Sequence, residues 1–171
     1  MANTFIQIGS TVTVGSGGAA NIEFTSIPAT YTDLIVVASM RSDAAVVSPN
    51  VKLQFNGSTT GYSEKLVYGN GSAAASANRA STEILYIYGN GSSATASTFG
   101  SLNVYIPNYA SSNNKSVSVD TVNENNATAA TAGLTAGLWS NSAAITSVKL
   151  TPETGSFVQY STATLYGISK S

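Results

Sequence analysis

Short apolar runs that alternate with polar residues and end at turn-forming residues restrict the fold of this chain more than any other feature. The runs are rich in Val, Ile, Thr and Tyr and end at Gly, Asn, Ser or Pro, which is typical of half-buried β-strands. No segment sustains apolar residues at helical spacing, so we expect little helix. The predicted strands lie at residues 5–8, 11–14, 21–24, 34–40, 51–55, 65–68, 83–88, 102–106, 116–122, 145–150 and 162–168.

Some of these segments also predict their surroundings. Strict alternation in residues 116–122 places Val117 and Val119 toward a core and the intervening serines toward water. Residues 34–38 are apolar at every position, which predicts a central strand covered on both faces. Residues 127–138 are ambiguous, because Ala and Leu favour a helical turn whereas Thr and two glycines oppose a long helix.

The number of strands determines the predicted architecture. A chain of 171 residues is long enough for one domain with its own core. About eleven short strands with turn signals between them predict an all-β, jelly-roll-like, two-sheet β-sandwich. We therefore expect residues 1–171 to form a single domain of about 8–11 strands. Residues 1–8 are a candidate N-terminal arm that would pair with a neighbouring subunit.

The pentapeptide Tyr-Gly-Asn-Gly-Ser occurs twice, at residues 68–72 and 88–92. Asn-Gly favours left-handed turn conformations, so we interpret both copies as strand exits into loops of small residues. Asn70 and Asn90, at the centres of the two copies, are candidate contacts to a ligand or partner. The two predicted loops lie at residues 72–77 and 92–97.

The charge content argues against two classes of partner. Only 9% of the residues are charged and the formal net charge is -1, whereas an ordinary soluble domain has about 25% charged residues. No window concentrates Lys or Arg, so we do not expect binding to nucleic acid. No stretch approaches the roughly 18 apolar residues of a membrane span, and residues 1–10 do not resemble a secretory signal. We therefore expect no membrane partner.

The chain contains neither His nor Cys, which removes Ser-His-Asp and Cys-His catalysis as well as imidazole and thiolate metal ligands. We therefore expect no enzymatic activity, no catalytic residues, no cofactor and no metal site. Two alternatives rest on oxygen donors. Residues 120–126 could wrap a hard cation such as calcium, although they lack the spacing of an EF-hand loop. Paired carboxylates for glycoside hydrolysis would come from Asp33 with Asp43 or from Asp120 with Glu124.

Aromatic side chains are the remaining candidates for ligand contact. Tyr62, Tyr109, Trp139 and Tyr160 could stack on sugar rings if they were exposed on one surface. The alternative interpretation places most of them in the core with their polar tips at its rim. The candidate contact residues are therefore Tyr62, Tyr109, Trp139, Asn70 and Asn90.

Several segments together resemble small structural proteins of tailed bacteriophages, cyanophages among them. The longest is residues 22–42, which reads IEFTSIPATYTDLIVVASMRS. The resemblance covers nearly the whole chain in order and includes no catalytic signature. The other segments are residues 53–57, 62–63, 105–109, 138–139, 144–148 and 164–168.

The resemblance implies a virion protein of one of two kinds. One is a capsid decoration (cement) protein on the outer capsid surface, which would bind the major capsid protein and form a homotrimer at a local threefold axis. The other is a tail fibre or spike module that recognises a host surface glycan. A decoration protein is the favoured expectation, since a neutral surface rich in Ser, Thr and Asn suits attachment by many small contacts. A glycan-active enzyme is the rival from a different functional class.

Overall fold

The computed structural model describes residues 4–127 and 129–169, and it folds them into eleven strands and no helix. No transmembrane helix is found among these residues. The strands are β1 (Phe5–Thr13), β2 (Ile22–Phe24), β3 (Asp33–Met40), β4 (Val51–Phe55), β5 (Tyr62–Gly69), β6 (Ala74–Ser81), β7 (Gly100–Ile106), β8 (Lys115–Val122), β9 (Ala132–Trp139), β10 (Val148–Pro152) and β11 (Thr162–Ile168).

The strands form two antiparallel sheets, which confirms the predicted β-sandwich. The large sheet has eight strands in the order β1-β11-β3-β7-β8-β9-β5-β6, and the small sheet has three in the order β2-β10-β4. The sheets are therefore unequal, whereas a jelly roll divides about eight strands between two sheets. Within the described residues, the edges of the large sheet are β1, which pairs with β11, and β6, which pairs with β5.

The core lies between the sheets and is filled by alternate residues of the strands, except that the edge strands β1 and β6 contain no buried residue. In β8 the buried and exposed residues alternate strictly, as predicted, with Val117 and Val119 buried. Phe55 of the small sheet packs against Tyr62 and Trp139 of the large sheet, with ring centroids 6.2 and 5.7 Å away. This aromatic cluster joins the two layers, since its members come from β4, β5 and β9.

The N-terminal segment differs from its prediction. The predicted strands at residues 5–8 and 11–14 are parts of one strand, β1, whose pairing with β11 shifts register between Ile8 and Val12. Gly9, with a φ of 69°, lies in that irregular stretch. Residues 5–8 of the predicted arm are therefore strand residues paired within the chain, and residues 1–3 lie outside the described residues.

The expectation that residues 34–38 are covered on both faces is wrong. β3 is an interior strand of the large sheet, between β11 and β7, as its apolar sequence indicates. Its inner residues Leu34 and Val36 are fully buried, but Val37 on the opposite face is 46% exposed. The small sheet covers only one face of the large one, and the apolar residues on the other face of β3 remain at the surface.

Three further segments also depart from the sequence-based assignment. Residues 74–77 belong to β6 rather than to a loop, because all eight residues of β6 pair with β5. The ambiguous segment 127–138 contains most of β9, a regular strand between β8 and β5. Residues 83–88 lie beside β4 but make only isolated bridges, at Ile84 and Tyr88, rather than a strand.

Candidate functional site

The face of the large sheet that points away from the small sheet, here called the outer face, carries most of the exposed apolar side chains. Seven of the nine exposed large apolar residues in the described part of the chain belong to strands of this sheet. Contiguous exposed apolar surface on a soluble protein usually marks an interaction site. These residues are Phe5, Val37, Val67, Tyr105, Val122, Leu134 and Leu138.

Three of these side chains come together because β8, β9 and β5 are neighbours in the sheet. Val67 of β5 lies directly opposite Leu134 of β9, and Val122 of β8 lies opposite Ala132 of β9. Val67, Val122 and Leu134 are 55, 45 and 47% exposed. We call Val67, Ala74, Val122, Ala132 and Leu134 the outer patch.

A shallow open depression of about 770 Å³ lies over the outer patch. It forms because the cross-strand row that starts at Val122 continues through Ala132, Gly69 and Ala74, whose side chains are small or absent. Its lining is mostly apolar, and the lining residues that carry polar side-chain groups are Tyr68, Ser76, Asp120 and Thr121. Such a hollow offers contact area to an apolar group.

A smaller cavity of about 210 Å³ adjoins this depression at the turn between β5 and β6. Asn70, Gly71 and Glu124 line it, and it shares Val122 and Ala132 with the larger depression. The outer patch therefore ends at the first copy of the repeated pentapeptide.

The other half of the outer face carries tyrosines. Tyr166 of β11 and Tyr105 of β7 lie on either side of Ile35 of β3. The hydroxyl of Tyr105 donates to Oδ2 of Asp33 at 2.8 Å. This hydrogen bond is the main reason that the pKa of Tyr105 is raised, because the phenol must keep its proton to donate.

Three of the predicted contact residues are buried and present no ring face to a ligand. Tyr62, Tyr109 and Trp139 are 3, 0 and 1% exposed. The Tyr62 hydroxyl accepts from the Phe55 amide at 2.8 Å, and burial raises the pKa of Tyr62 to about 12. These residues follow the alternative interpretation, in which they belong to the core. Of the four aromatics considered, only Tyr160 is exposed, at 68%.

The two asparagines of the repeated pentapeptide have opposite environments. Asn70 is exposed in the turn between β5 and β6. Asn90 is fully buried, and its Nδ2 donates to Oγ1 of Thr98 at 2.7 Å. The side chain of Asn90 therefore cannot contact a partner, because none of its surface is exposed to solvent.

The structure separates Asp33 from Asp43. β3 alone, roughly 23 Å long at ~3.3 Å per residue, lies between them. Asp43 Oδ1 accepts from the Ser156 amide at 2.7 Å, and Glu124 Oε1 accepts from the Asn126 amide at 2.6 Å. These carboxylates hold turns in place.

The segment proposed to wrap a cation is bound by the protein itself. Asn125 Nδ2 donates to the carbonyl of Ala129 at 2.8 Å, and Asn123 Nδ2 donates to the carbonyl of Gly89 at 3.1 Å. Both asparagines are buried. In the described residues no group of three or more acidic side chains is placed to hold a metal ion.

A buried ionic cluster of Glu64, Arg79 and Glu83 was missed by the sequence analysis. Glu64 points inward from β5 and is 2% exposed. The amides of Leu85 and Tyr86 each donate to its Oε2 at 3.0 Å. Arg79 of β6 lies 3.5 Å from the Glu64 carboxylate and 3.1 Å from that of Glu83. Desolvation by burial is the largest influence on Glu64 and raises its pKa.

The cluster explains why residues 83–88 do not form a regular strand. Two consecutive amides of that segment turn toward the Glu64 carboxylate and are therefore lost to a β-ladder with β4. Both acids are buried and committed to hydrogen bonds, which is the arrangement of a structural ion pair. Only the alternation of β5, which places Glu64 on the same face as Tyr62, could have indicated it.

Lys115 is a second buried charge that the sequence analysis did not single out. It is 1% exposed, and its Nζ donates to the carbonyl oxygens of Ser111, at 2.8 Å, and of Asn113. Desolvation by burial lowers its pKa. The ammonium group holds the loop between β7 and β8 against the start of β8, so its contacts give it a structural role.

Comparison of the chain with protein-family models, with curated proteins and with solved structures gives no match.

Proposed function

We propose that this protein is a non-enzymatic structural protein of a tailed-bacteriophage virion, a capsid decoration protein that attaches to the assembled shell through its outer face. The observation that carries the proposal is the outer patch, an exposed apolar surface on four adjacent strands of the large sheet, β8, β9, β5 and β6. The sequence resemblance to phage structural proteins supports the virion assignment.

The outer patch suits a large protein partner better than a small ligand. The depression over it is wide, open and mostly apolar, and it lacks the few convergent polar groups that fix a small molecule. The partner in this proposal is the major capsid protein, with a homotrimer of the chain at a local threefold axis. A protein that binds only the assembled lattice stabilises that lattice by mass action.

A tail fibre or spike module that binds a host glycan is the second candidate. Tyr105 and Tyr166, on either side of Ile35, are the observation that favours it. Exposed tyrosine rings are common contacts to sugars. The candidate aromatics in the core do not contribute to this function, because they are buried.

The proposal predicts that a charge in the outer patch weakens capsid binding. Val67→Asp would place an ionised carboxylate against the shell surface, and we expect occupancy to fall by about tenfold or more, equivalent to ~1.4 kcal/mol or more. The measurement is cosedimentation of the purified protein with phage shells assembled without it. Val46→Asp is the matched control, since Val46 has a similar exposure, 50% against 55%, but lies outside the large sheet.

Thermal unfolding of both variants shows whether each is folded. Equal shell binding by the two variants would contradict the role of the outer patch. A wild-type protein that binds isolated tails but not shells would overturn the capsid assignment in favour of the second candidate.

A further inference from the structure

The two copies of Tyr-Gly-Asn-Gly-Ser give the same local sequence in two different environments. The first copy ends β5 and makes the exposed turn to β6. The second lies between residues 83–88 and β7, where Gly89, Asn90 and Gly91 are buried. Any chemical difference between Asn70 and Asn90 must therefore come from the fold.

At Asn70, the side chain and the backbone nitrogen that follows it are available to react with each other. Its Oδ1 accepts from the Ser72 amide at 3.1 Å and from the Ala73 amide at 2.8 Å. These bonds hold the side-chain oxygen of Asn70 against the backbone of the same turn that contains the Gly71 nitrogen. Within the described residues, neither the Gly71 amide nor Asn70 Nδ2 has a hydrogen-bond partner in the protein.

At Asn90, by contrast, the two corresponding nitrogens are both hydrogen-bonded within the protein. It is 0% exposed, and its Nδ2 donates to Oγ1 of Thr98. The Gly91 amide donates to the carbonyl of Val47 at 3.0 Å. A nitrogen committed to a buried hydrogen bond cannot easily lose its proton and attack, because opening the site costs local unfolding free energy.

The third Asn-Gly pair, Asn56-Gly57, is intermediate. Asn56 is exposed, but its Oδ1 accepts from the amides of Thr146 and Ser147 at 2.8 and 3.0 Å. Its Nδ2 donates to the carbonyl of Ala144 at 2.8 Å. These contacts tie the carboxamide to a distant segment, so that any rotation of the side chain must break them.

We propose that Asn70 is a site of spontaneous deamidation in the folded protein and that Asn90 is protected. The Gly71 nitrogen, after losing its proton to solvent hydroxide, bonds to Cγ of Asn70. The bond from Cγ to Nδ2 breaks, and ammonia leaves with a proton taken from water. Water then opens the five-membered imide at either carbonyl and yields aspartate or isoaspartate. No oxidant or reductant is needed.

Deamidation of Asn70 would change the charge at the edge of the outer patch. It adds one negative charge, so that the formal net charge goes from -1 to -2. The new carboxylate lies in the small cavity that Glu124 also lines. Two acids in one cavity repel each other, and isoaspartate also adds a backbone atom to the turn between β5 and β6.

Peptide mapping of the intact chain tests the proposal. Trypsin cleaves after Lys52, Lys65, Arg79 and Lys115, which places Asn56, Asn70 and Asn90 on separate peptides: residues 53–65, 66–79 and 80–115. Samples are incubated at mildly alkaline pH, folded or unfolded in guanidinium chloride, and fragmentation spectra locate each mass gain. Unfolded, Asn70 and Asn90 should react at similar rates because their neighbours are identical. Folded, Asn70 should react about tenfold or more faster than Asn90.

The unfolded sample is a matched control, because it keeps the sequence and removes the structure. An Asn70→Gln variant should show no mass gain at that position and so confirms the assignment. Equal rates at Asn70 and Asn90 in the folded protein would overturn the proposal. The proposal would also be overturned if Asn70 of the folded protein did not react in the time that it takes the unfolded chain to react.

Discussion

At the scale of single residues, the most informative side chain is Glu64. An ionised carboxylate away from water is costly unless charges and donors compensate for it. Glu64 has two backbone amides and the Arg79 guanidinium, yet desolvation still outweighs them and raises its pKa. Glu64 therefore attaches residues 85 and 86 to β5. Because its pKa is raised, its contribution to the free energy of unfolding depends on pH.

The raised pKa of Glu64 predicts that its contribution to stability falls as the pH rises. Below its ordinary pKa of 4.5, the group is protonated in both folded and unfolded chains. Above that value the unfolded chain ionises first, so stability declines until the pH passes the higher pKa of the folded protein. The measurement is the free energy of unfolding in urea from acidic to neutral pH, for the wild type and Glu64→Gln.

The variant retains an acceptor for the two amides but does not titrate. We therefore expect the stability of the wild type relative to Glu64→Gln to decrease as the pH rises from about 4.5, the ordinary pKa of glutamate. A difference that stays constant over this interval, or that moves in the opposite direction, would show that the environment of Glu64 does not disfavour its charge.

At the scale of secondary-structure elements, β9 has an inverted pattern. Its two leucines, Leu134 and Leu138, point outward, whereas Gly137 and Trp139 face the core. A Cβ at Gly137 would overlap the side chain of Ile84, which occupies that space. The glycine therefore allows residues 83–88 to pack directly onto the large sheet.

This packing predicts that Gly137→Ala destabilises the protein, although alanine is usually the better strand residue. The added methyl must displace Ile84, which is fully buried, and overpacking of this kind costs about 1–3 kcal/mol. Denaturant unfolding measures the loss. Gly15→Ala is the control, since a Cβ there meets no atom within 4 Å, and it should change stability by no more than ~0.5 kcal/mol. Equal effects of the two substitutions would contradict the packing argument.

The strands differ in how well they could be predicted from the sequence. β7, β8 and β11 were assigned correctly because they bury one alternating set of apolar residues. β6 could not be found by that signal, since this mostly exposed edge strand consists of Ala, Ser, Asn and Arg. The segment of β9 was left ambiguous because Gly137 is buried and its two leucines are exposed. In each case the pattern depends on neighbours that are distant in the sequence.

The outer patch was unpredictable for a related reason. Val67, Val122 and Leu134 lie on three strands whose adjacency follows from the strand order, which short-range patterns do not specify. The buried aromatics were assigned as candidate contacts because a ring is equally plausible in a core or on a surface until its strand register is known. Asn70 and Asn90 have identical sequence neighbours, yet Asn70 is exposed and Asn90 is buried, so the local sequence could not predict their environments.

At the scale of the whole molecule, the fold joins segments from opposite ends of the chain. β1 pairs with β11, and Thr11 contacts Thr164 through a hydrogen bond of 2.9 Å that spans 153 residues of sequence. The small sheet is equally non-local, because β10 pairs with β2 and β4. Neither sheet can be completed until the last third of the chain has joined the first third.

Such non-local pairing predicts slow folding. Closing long loops costs entropy before the contacts they allow are formed, and all-β proteins of this kind fold in roughly milliseconds to seconds. Trp139, the only tryptophan, is buried between the sheets, so its fluorescence in a stopped-flow refolding experiment reports assembly of the core. The main phase should fall in that time range and slow as denaturant is added. Refolding complete within microseconds would mean that the core around Trp139 forms from local contacts, in conflict with the pairing of the first and last strands.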